Sequence, residues 1–284
     1  MAMHFTDIIW VLVALAFFLP VINKKMNESR RIAALRRIEH IRKSRVITLI
    51  HRQETMSFLG FPVARYIDIN DSEDIISAIR LTANDVPIDL IVHTPGGLVL
   101  AADQIAHALV RHPAKVTVFV PFYAMSGGTF IALAADEIVM GTNAVLGPID
   151  PQIGGMPAAS ILAVGEQKRP GQMDDTTLIL ADVARKAVDQ LRQRARHLLS
   201  QRLEIHAADE LAVKLTQGKW THDYPITFEE AKNLGLPVSD EVPDYIYEFM
   251  QYFPQPKRTE SSVQYIPLPY KKEGSAPSDK AANP

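Results

Sequence analysis

Cysteine is absent from this sequence of 284 residues, which excludes disulfide bonds, a thiol nucleophile and thiolate metal ligands. The chain also lacks a G-x-G-x-x-G turn, a P-loop and an H-E-x-x-H metal motif. We therefore expect neither a nucleotide cofactor nor a metal ion. Neither positive nor negative charge is in large excess, because the formal net charge is −2. The composition therefore predicts no general attraction to nucleic acid.

Charge is missing from one stretch near the N-terminus, residues 8–22, "IIWVLVALAFFLPVI". The stretch is shorter than the roughly 20 residues that cross a bilayer comfortably, but flanking residues and a locally thinned bilayer can make up the difference. A cleavable signal peptide has positive charge before its apolar run and small residues after it, and this stretch has the opposite arrangement. We therefore predict that residues 1–25 form an uncleaved transmembrane anchor.

Basic residues follow this stretch at high density, at Lys24, Lys25, Arg30, Arg31, Arg36, Arg37, Arg42, Lys43 and Arg45. Because excess positive charge stays on the cytoplasmic side, we expect a single-pass membrane protein whose bulk lies in the cytoplasm. The apolar spacing predicts an amphipathic juxtamembrane helix over 26–44, which could contact anionic lipid headgroups at about 1 kcal/mol per charge. A solvated helical face would produce the same pattern, and both interpretations stay open.

Beyond residue 44, fully apolar segments such as "RVITLI" and "KVTVFV" alternate with amphipathic ones. Apolar strands separated by helices indicate an α/β fold with a parallel sheet that is covered on both faces. One of the predicted helices is capped by Asp71 or Ser72, and another covers 177–203. We predict that this domain spans 45–252 and that residues 253–284, rich in proline, serine and lysine, form a disordered tail.

Two turns carry paired glycines, "TPGG" at 94–97 and "AMSGG" at 124–128, and each follows an apolar strand and precedes a helix. In a parallel sheet such turns meet at the carboxyl ends of the strands, where ligand sites form. The amides at a helix N-terminus are unpaired and point outward. Amides of Gly96, Gly97 and Gly127 could therefore hold a substrate oxygen that becomes negative, which is worth about 3–4 kcal/mol in a transition state.

Ser126 stands in the second turn, with alanine two residues before it and glycine two residues after it. This is a relaxed form of the G-x-S-x-G elbow, which exposes a nucleophilic hydroxyl. A Ser-Gly-Gly sequence before a helix also suits an N-cap, whose hydroxyl accepts a backbone hydrogen bond. The matching glycine turn on the preceding strand favours the nucleophile.

The segment "HTPGGLVLAADQIAHAL", followed by "MSGGTFIALAADEIVMG", resembles the ClpP/crotonase superfamily. The resemblance is closest to the serine dehydrogenase proteinases, and signal peptide peptidase A and the NfeD-linked membrane serine proteases are similar. It covers roughly residues 45–245. It implies a ClpP/crotonase-like sheet with flanking helices, Ser126 as the nucleophile, and Gly96, Gly97 and Gly127 around the oxyanion. It also implies a homo-oligomer that acts on polypeptides.

A serine hydroxyl needs a base within hydrogen-bond reach. ClpP-type peptidases carry a histidine at the place where this chain has "LGPIDPQ", which contains no histidine. Similarity to signal peptide peptidase A implies a lysine instead, whose ammonium can lose its proton when it is buried against apolar groups. Lys186, inside the predicted long helix, is the first candidate and Lys168 the second. Lys186 could equally be a surface residue among neighbouring arginines.

Asp223 stands where ClpP-like peptidases carry their aspartate, in "HDYPIT". Its neighbour His222 could reach the site from this unexpected place in the chain. Turn chemistry at the start of the following helix is the simpler interpretation of both residues.

We therefore expect a membrane-anchored, ClpP-like serine endopeptidase. It would hydrolyse peptide bonds of membrane-derived or unfolded polypeptides through a Ser-Lys mechanism. One alternative is a crotonase-like enzyme acting on acyl thioesters, which shares the two oxyanion turns. Another is an oligomeric membrane scaffold that kept the fold and lost the base.

Overall fold

The computed structural model describes residues 5–51, 65–168, 171 and 173–253, and within 5–24 it describes the side chains of Phe18 and Ile22 only. The helices in this part are α1 (Phe5–Arg42), α2 (Ile69–Arg80), α3 (Val99–Val110), α4 (Gly127–Ala132), α5 (Ala158–Gln167), α6 (Asp175–Leu199), α7 (Ile205–Thr216), α8 (Phe228–Asn233) and α9 (Asp244–Met250). The strands are β1 (Arg45–Ile50), β2 (Ile88–His93), β3 (Val116–Val120), β4 (Tyr123–Ala124), β5 (Glu137–Met140), β6 (Val145–Leu146), β7 (Gln152–Ile153), β8 (Met156–Pro157), β9 (Ile226–Thr227) and β10 (Val238–Ser239).

Five strands form a parallel sheet in the order β1-β2-β3-β5-β10. Alternate side chains of a strand point to opposite faces of the sheet. One face packs against α2, α3, α4, α6 and α7, and the other packs against α1 and α9. Because both faces are buried, the strands are mostly apolar, and the predicted α/β fold is confirmed. The second face consists of Val46, Ile91, Phe119 and Val139.

Helix α1 continues without interruption across the boundary that we predicted at residue 25. Its C-terminal end is attached to the sheet, because the Arg42 guanidinium donates two hydrogen bonds to Asp89, at 2.7 and 3.1 Å. The Ser44 hydroxyl donates a third to the same carboxylate at 2.6 Å. Asp89 is fully buried in the sheet. Removing the Arg42 guanidinium or the Ser44 hydroxyl would therefore leave the negative charge of Asp89 without full compensation.

In the part of the chain that the structure describes, no helix is both long and apolar enough to cross a membrane. Residues 1–4 of the predicted anchor 1–25 lie outside the described part of the chain. The side chains of most of its other residues lie outside it as well. The tail predicted over 253–284 lies outside it too, apart from Phe253.

The N-cap of helix α2 is Asp68, which is three residues before Asp71 and four before Ser72, the two predicted caps. The Asp68 carboxylate accepts a hydrogen bond from the Asp71 amide at 3.0 Å, and the Asp71 carboxylate accepts one from the Asp68 amide at 2.9 Å. This reciprocal capping box satisfies two amides at once, whereas a cap at Asp71 or Ser72 would leave the preceding turn unpaired. The predicted cap was therefore wrong.

Candidate active site

The first glycine turn follows β2 and contacts the second turn closely. Gly96 has a φ of +109°, and a Cβ there would stand 2.7 Å from the Cβ of Ser126. A Cβ on Gly97 would stand 2.3 Å from the backbone nitrogen of Ile67. Only glycine fits either position, because Gly96 makes room for the serine and Gly97 for the chain that leads into α2. The Ile67 amide holds the turn by donating to the Gly96 carbonyl at 2.8 Å.

Ser126 connects β4 to α4. Its backbone has φ 49° and ψ −114°, a conformation that residues other than glycine rarely adopt. Such a backbone stores about 1–3 kcal/mol and persists where the surrounding structure enforces it. Although Ser126 occupies the N-cap position of α4, its side chain makes no capping hydrogen bond. The N-cap interpretation of this hydroxyl was therefore wrong, and the geometry is that of a nucleophile elbow.

Two of the three candidate amides are available to a ligand. In the part of the chain that the structure describes, the amides of Gly97 and Gly127 donate to no acceptor. They are neighbours, because the Gly97 nitrogen lies 3.5 Å from the place that a Cβ on Gly127 would occupy. The Gly96 amide, in contrast, donates to the Thr94 hydroxyl at 3.2 Å. Gly97 and Gly127 can thus receive an oxyanion, and Gly96 supports the turn.

A cavity of about 330 Å³ opens at these turns. Its wall is mostly apolar, with a small set of polar side chains that belong to Tyr66, Ser126, Asp150, Gln152 and His222. The apolar part of the wall comes chiefly from Leu98, Val99, Ala102, Phe130, Ile149 and Leu191. A largely apolar cavity with a few convergent polar groups is the usual form of a substrate site.

Asp150 and His222 form a pair inside this cavity, although they are far apart in the sequence. The Nδ1 atom of His222 lies 2.8 Å from Oδ1 of Asp150. The second oxygen of Asp150, Oδ2, accepts a hydrogen bond from the side-chain amide of Gln152 at 2.6 Å. Asp150 is only 3% exposed, so it is a buried carboxylate that accepts from both neighbours. With Nδ1 held as a donor, the other ring nitrogen of His222, Nε2, is left to act as a base.

The hydrogen bond to Asp150 raises the pKa of His222 above the ordinary value for histidine, although burial acts in the opposite direction. Because the neutral ring is the base, we expect the rate of acylation to rise with pH through this raised pKa. Replacing Asp150→Asn should move the midpoint to lower pH. The measurement is the rate of fluorophosphonate labelling against pH for both proteins, and identical midpoints would contradict the coupling.

The raised pKa of His222 affects stability and activity in opposite directions as the pH changes. A raised pKa in the folded state means that protonated His222 stabilises the fold at pH values below its pKa in the unfolded chain. This contribution disappears as the pH rises through the folded-state pKa. Thermal melts of the wild-type protein and of the Asp150→Asn variant should therefore converge toward high pH, where the histidine is neutral in both.

The three remaining predicted site residues do not line the cavity. Lys186 lies on α6 with an exposed side chain, and its ammonium donates to Asp182 at 2.5 Å. Lys168 is exposed at the C-terminal end of α5, and Asp223 is exposed beside His222. The interpretation of Lys186 as a surface residue, which the sequence left open, agrees with this position.

The sequence contained a signal for the Asp150–His222 pair, of which only the possible approach of His222 to the site was predicted and no role was assigned to Asp150. "LGPIDPQ" has an aspartate where ClpP-type peptidases carry a histidine, and "HDYPIT" has a histidine beside the place of their aspartate. Exchanging the two residue types preserves a hydrogen-bonded pair. The exchange becomes visible only when the chain is folded, because the two residues are 72 positions apart.

A family model and two relatives match this chain over most of its length. A model of the family described as ClpP-like SDH-type serine proteinase matches residues 1–280, which confirms the resemblance carried by the two glycine turns. Two uncharacterized proteins of Methanocaldococcus jannaschii, MJ0137 and MJ1495, are 52% and 50% identical to this chain. Each match covers 94% of this chain, and they cover 93% and 91% of the two relatives.

Two solved structures are similar to this chain at 18% sequence identity each. ClpP1 from Listeria monocytogenes has a TM-score of 0.46, and the match covers 74% of this chain and 98% of that one. The 1510-N membrane-bound stomatin-specific protease has a TM-score of 0.43, with 66% of this chain and 79% of that chain covered.

Proposed function

The chain belongs to the family of ClpP-like SDH-type serine proteinases, and we propose that it is a serine endopeptidase with Ser126 as nucleophile and His222 as general base. The observation that carries the proposal is the shared cavity. Ser126, whose hydroxyl caps no helix, lines it together with His222, whose ring is oriented by Asp150. The neighbouring amides of Gly97 and Gly127, which donate to no acceptor among the described residues, complete the set that acyl transfer needs.

In the proposed reaction, Nε2 of His222 takes the proton of the Ser126 hydroxyl while Oγ attacks the carbonyl carbon of a peptide bond. The carbonyl oxygen becomes negative and accepts hydrogen bonds from the Gly97 and Gly127 amides. The C–N bond then breaks, and the imidazolium returns its proton to the leaving amine. A water molecule, deprotonated by the same ring, hydrolyses the acyl-serine and restores the enzyme. Asp150 keeps its negative charge throughout and stabilises the imidazolium.

This mechanism replaces the Ser-Lys mechanism that the resemblance implied. A lysine acts as a base only when burial lowers its pKa, and the exposed side chain of Lys186 is instead paired with Asp182. Lys168 is exposed as well. The position of His222 on the cavity wall supports histidine in this role.

The two alternative functions receive less support. A crotonase-like reaction needs a carboxylate that is free to move a proton, but both oxygens of Asp150 accept hydrogen bonds from side chains. A scaffold without a base would fit the remote positions of both lysines. The strained backbone of Ser126 argues against a scaffold, because such strain is retained where the residue has a function.

We propose that the substrates are membrane-derived or unfolded polypeptides and that the enzyme is a homo-oligomer. Apolar side chains surround the cavity mouth and are exposed at Tyr66, Leu98 and Val99, so they can contact an extended apolar chain. Another exposed apolar group, at Ile179 and Val183 on α6, is available to a second copy.

We further propose that residues 8–22 hold the enzyme in a membrane, with the catalytic domain on the cytoplasmic side. The support is the uncharged apolar sequence followed by Lys24 and Lys25. The test is flotation of the full chain and of a chain lacking residues 1–25 with lipid vesicles, followed by alkaline extraction. Full-length protein that is released by alkali, or a truncated chain that still floats, would contradict the proposal.

The experiment that tests the peptidase is labelling with a fluorophosphonate, which reacts with activated serines. We expect one label, located by mass spectrometry on the peptide that contains Ser126. The label should be blocked by prior denaturation, because the reactivity depends on the folded cavity. Coenzyme A should not raise the melting temperature. Absence of label, or label on a different serine, would refute the assignment of the nucleophile.

A further inference from the structure

His51 directly follows β1. Its side chain lies between Asp71 in α2 and Thr94, the residue that follows β2. Its side chain is buried, and both ring nitrogens have partners. Nε2 lies 3.2 Å from Oδ2 of Asp71, and Nδ1 lies 3.0 Å from the Thr94 hydroxyl. None of these three residues lines the cavity, so the proposed reaction does not use them directly.

The partners fix the direction of each hydrogen bond. The Asp71 oxygen is an acceptor, and it also accepts from the Asp68 amide in the capping box of α2. Nε2 of His51 must therefore donate, which leaves Nδ1 of the neutral ring as an acceptor for the Thr94 hydroxyl hydrogen. The Thr94 oxygen in turn accepts from the Gly96 amide at 3.2 Å. A continuous chain of hydrogen bonds thus connects the start of α2 to the oxyanion turn.

We propose that His51 is a positioning residue, which orients the Thr94 hydroxyl so that it holds Gly96 and thereby aims the Gly97 amide at the substrate oxygen. This inference rests on the proposed peptidase function. Gly97 shares a peptide bond with Gly96, so any rotation of the Gly96 backbone turns the Gly97 N–H. A Thr94 hydroxyl without its acceptor can rotate toward the Gly96 carbonyl, which lies 3.4 Å away, and then it competes with the bond that Ile67 makes. Oxyanion donors act only when they are aimed in advance.

A matched pair of variants separates positioning from simple packing. In His51→Asn the side-chain oxygen reaches the place of Nδ1 and can accept from Thr94. In His51→Gln the longer side chain places its polar end where Nε2 was, opposite Asp71. We expect His51→Gln to lower kcat about 10- to 100-fold with KM nearly unchanged, as displaced catalytic groups do, and His51→Asn to recover most of that loss. Equal kcat values for the two variants would overturn the proposal.

Thr94 provides a second pair in case a His51 variant folds poorly. Thr94→Val keeps the shape and the methyl group that packs near Gly128, but it removes the hydroxyl, whereas Thr94→Ser keeps the hydroxyl. We expect the valine variant to lose kcat as His51→Gln does and the serine variant to retain it. Melting temperatures are measured for all four proteins, and a loss of kcat that follows stability instead of hydrogen bonding refutes the inference.

The Ser126→Ala variant distinguishes failure of this inference from failure of the proposed function. If Ser126→Ala abolishes hydrolysis while His51→Gln and Thr94→Val remain fully active, only the positioning role is refuted. If Ser126→Ala remains active, the proposed function fails and the positioning role fails with it.

Discussion

Replacement of Ser126 by alanine is expected to lower kcat for peptide hydrolysis by about 10⁴-fold or more, which is the loss that follows when a serine nucleophile is removed. The reason is that Oγ is the atom that attacks the carbonyl, and among the described residues that line the cavity no other serine or threonine offers an aliphatic hydroxyl. Substrate affinity should change little, because the apolar wall and the amides remain.

The Ser126→Ala substitution should also leave the backbone of the two glycine turns unchanged. Alanine and serine carry a Cβ alike, so both experience the same strain at φ 49°, and the contact of Gly96 with this Cβ is kept. Replacing the exposed Ser160 on α5 by alanine is the matched control, which should leave hydrolysis unchanged. Hydrolysis by Ser126→Ala at more than a hundredth of the wild-type rate would show that a different group attacks the substrate.

The parallel sheet could be predicted because its strands are buried on both faces and are therefore mostly apolar, without regular alternation of polar and apolar residues. The same rule placed the first glycine turn at the carboxyl end of β2. The second turn follows β4, a two-residue strand of the small sheet that comes shortly after β3 in the chain, so its position was predicted less accurately. The start of α2 could not be placed as well. Asp68 and Asp71 are both good caps, and what decides between them is a reciprocal pair of hydrogen bonds that neither residue type reveals alone.

The nucleophile and its amides are local features, contained in a few consecutive residues, so sequence reasoning reaches them. The base is not local. Lys186 was favoured because the resemblance implied a lysine and Lys186 lies inside the predicted long helix. On α6 its side chain is exposed, and the apolar residues Ile179 and Val183 of the same helix are exposed as well. Asp150 and His222 come together only because the loop after β6 and the loop before β9 meet at one end of the small sheet in which β6 pairs with β9. Such a meeting is a property of topology, and the spacing of the two residues along the chain does not reveal it.

Replacement of His222 by alanine is expected to lower kcat about 10⁴-fold or more, whereas Lys186→Ala should stay within about twofold of the wild type. The two variants separate the proposed base from the one that the family resemblance implied. Lys186 is exposed and paired with Asp182, and exposed ion pairs contribute little to either stability or function. The measurement is kcat and KM for a fluorogenic peptide, with Asp150→Asn as the third member of the series.

Asp150→Asn tests the pair rather than the ring alone. An amide cannot stabilise the imidazolium by charge, so we expect a loss of about 10³- to 10⁴-fold, close to that of His222→Ala. The double variant should lose no more than His222→Ala does, because residues that act as one unit are not additive. If the losses multiply, Asp150 and His222 act separately. If Lys186→Ala is inactive and His222→Ala is active, the base is the lysine, and its ammonium must leave Asp182 to reach Ser126 in the working enzyme.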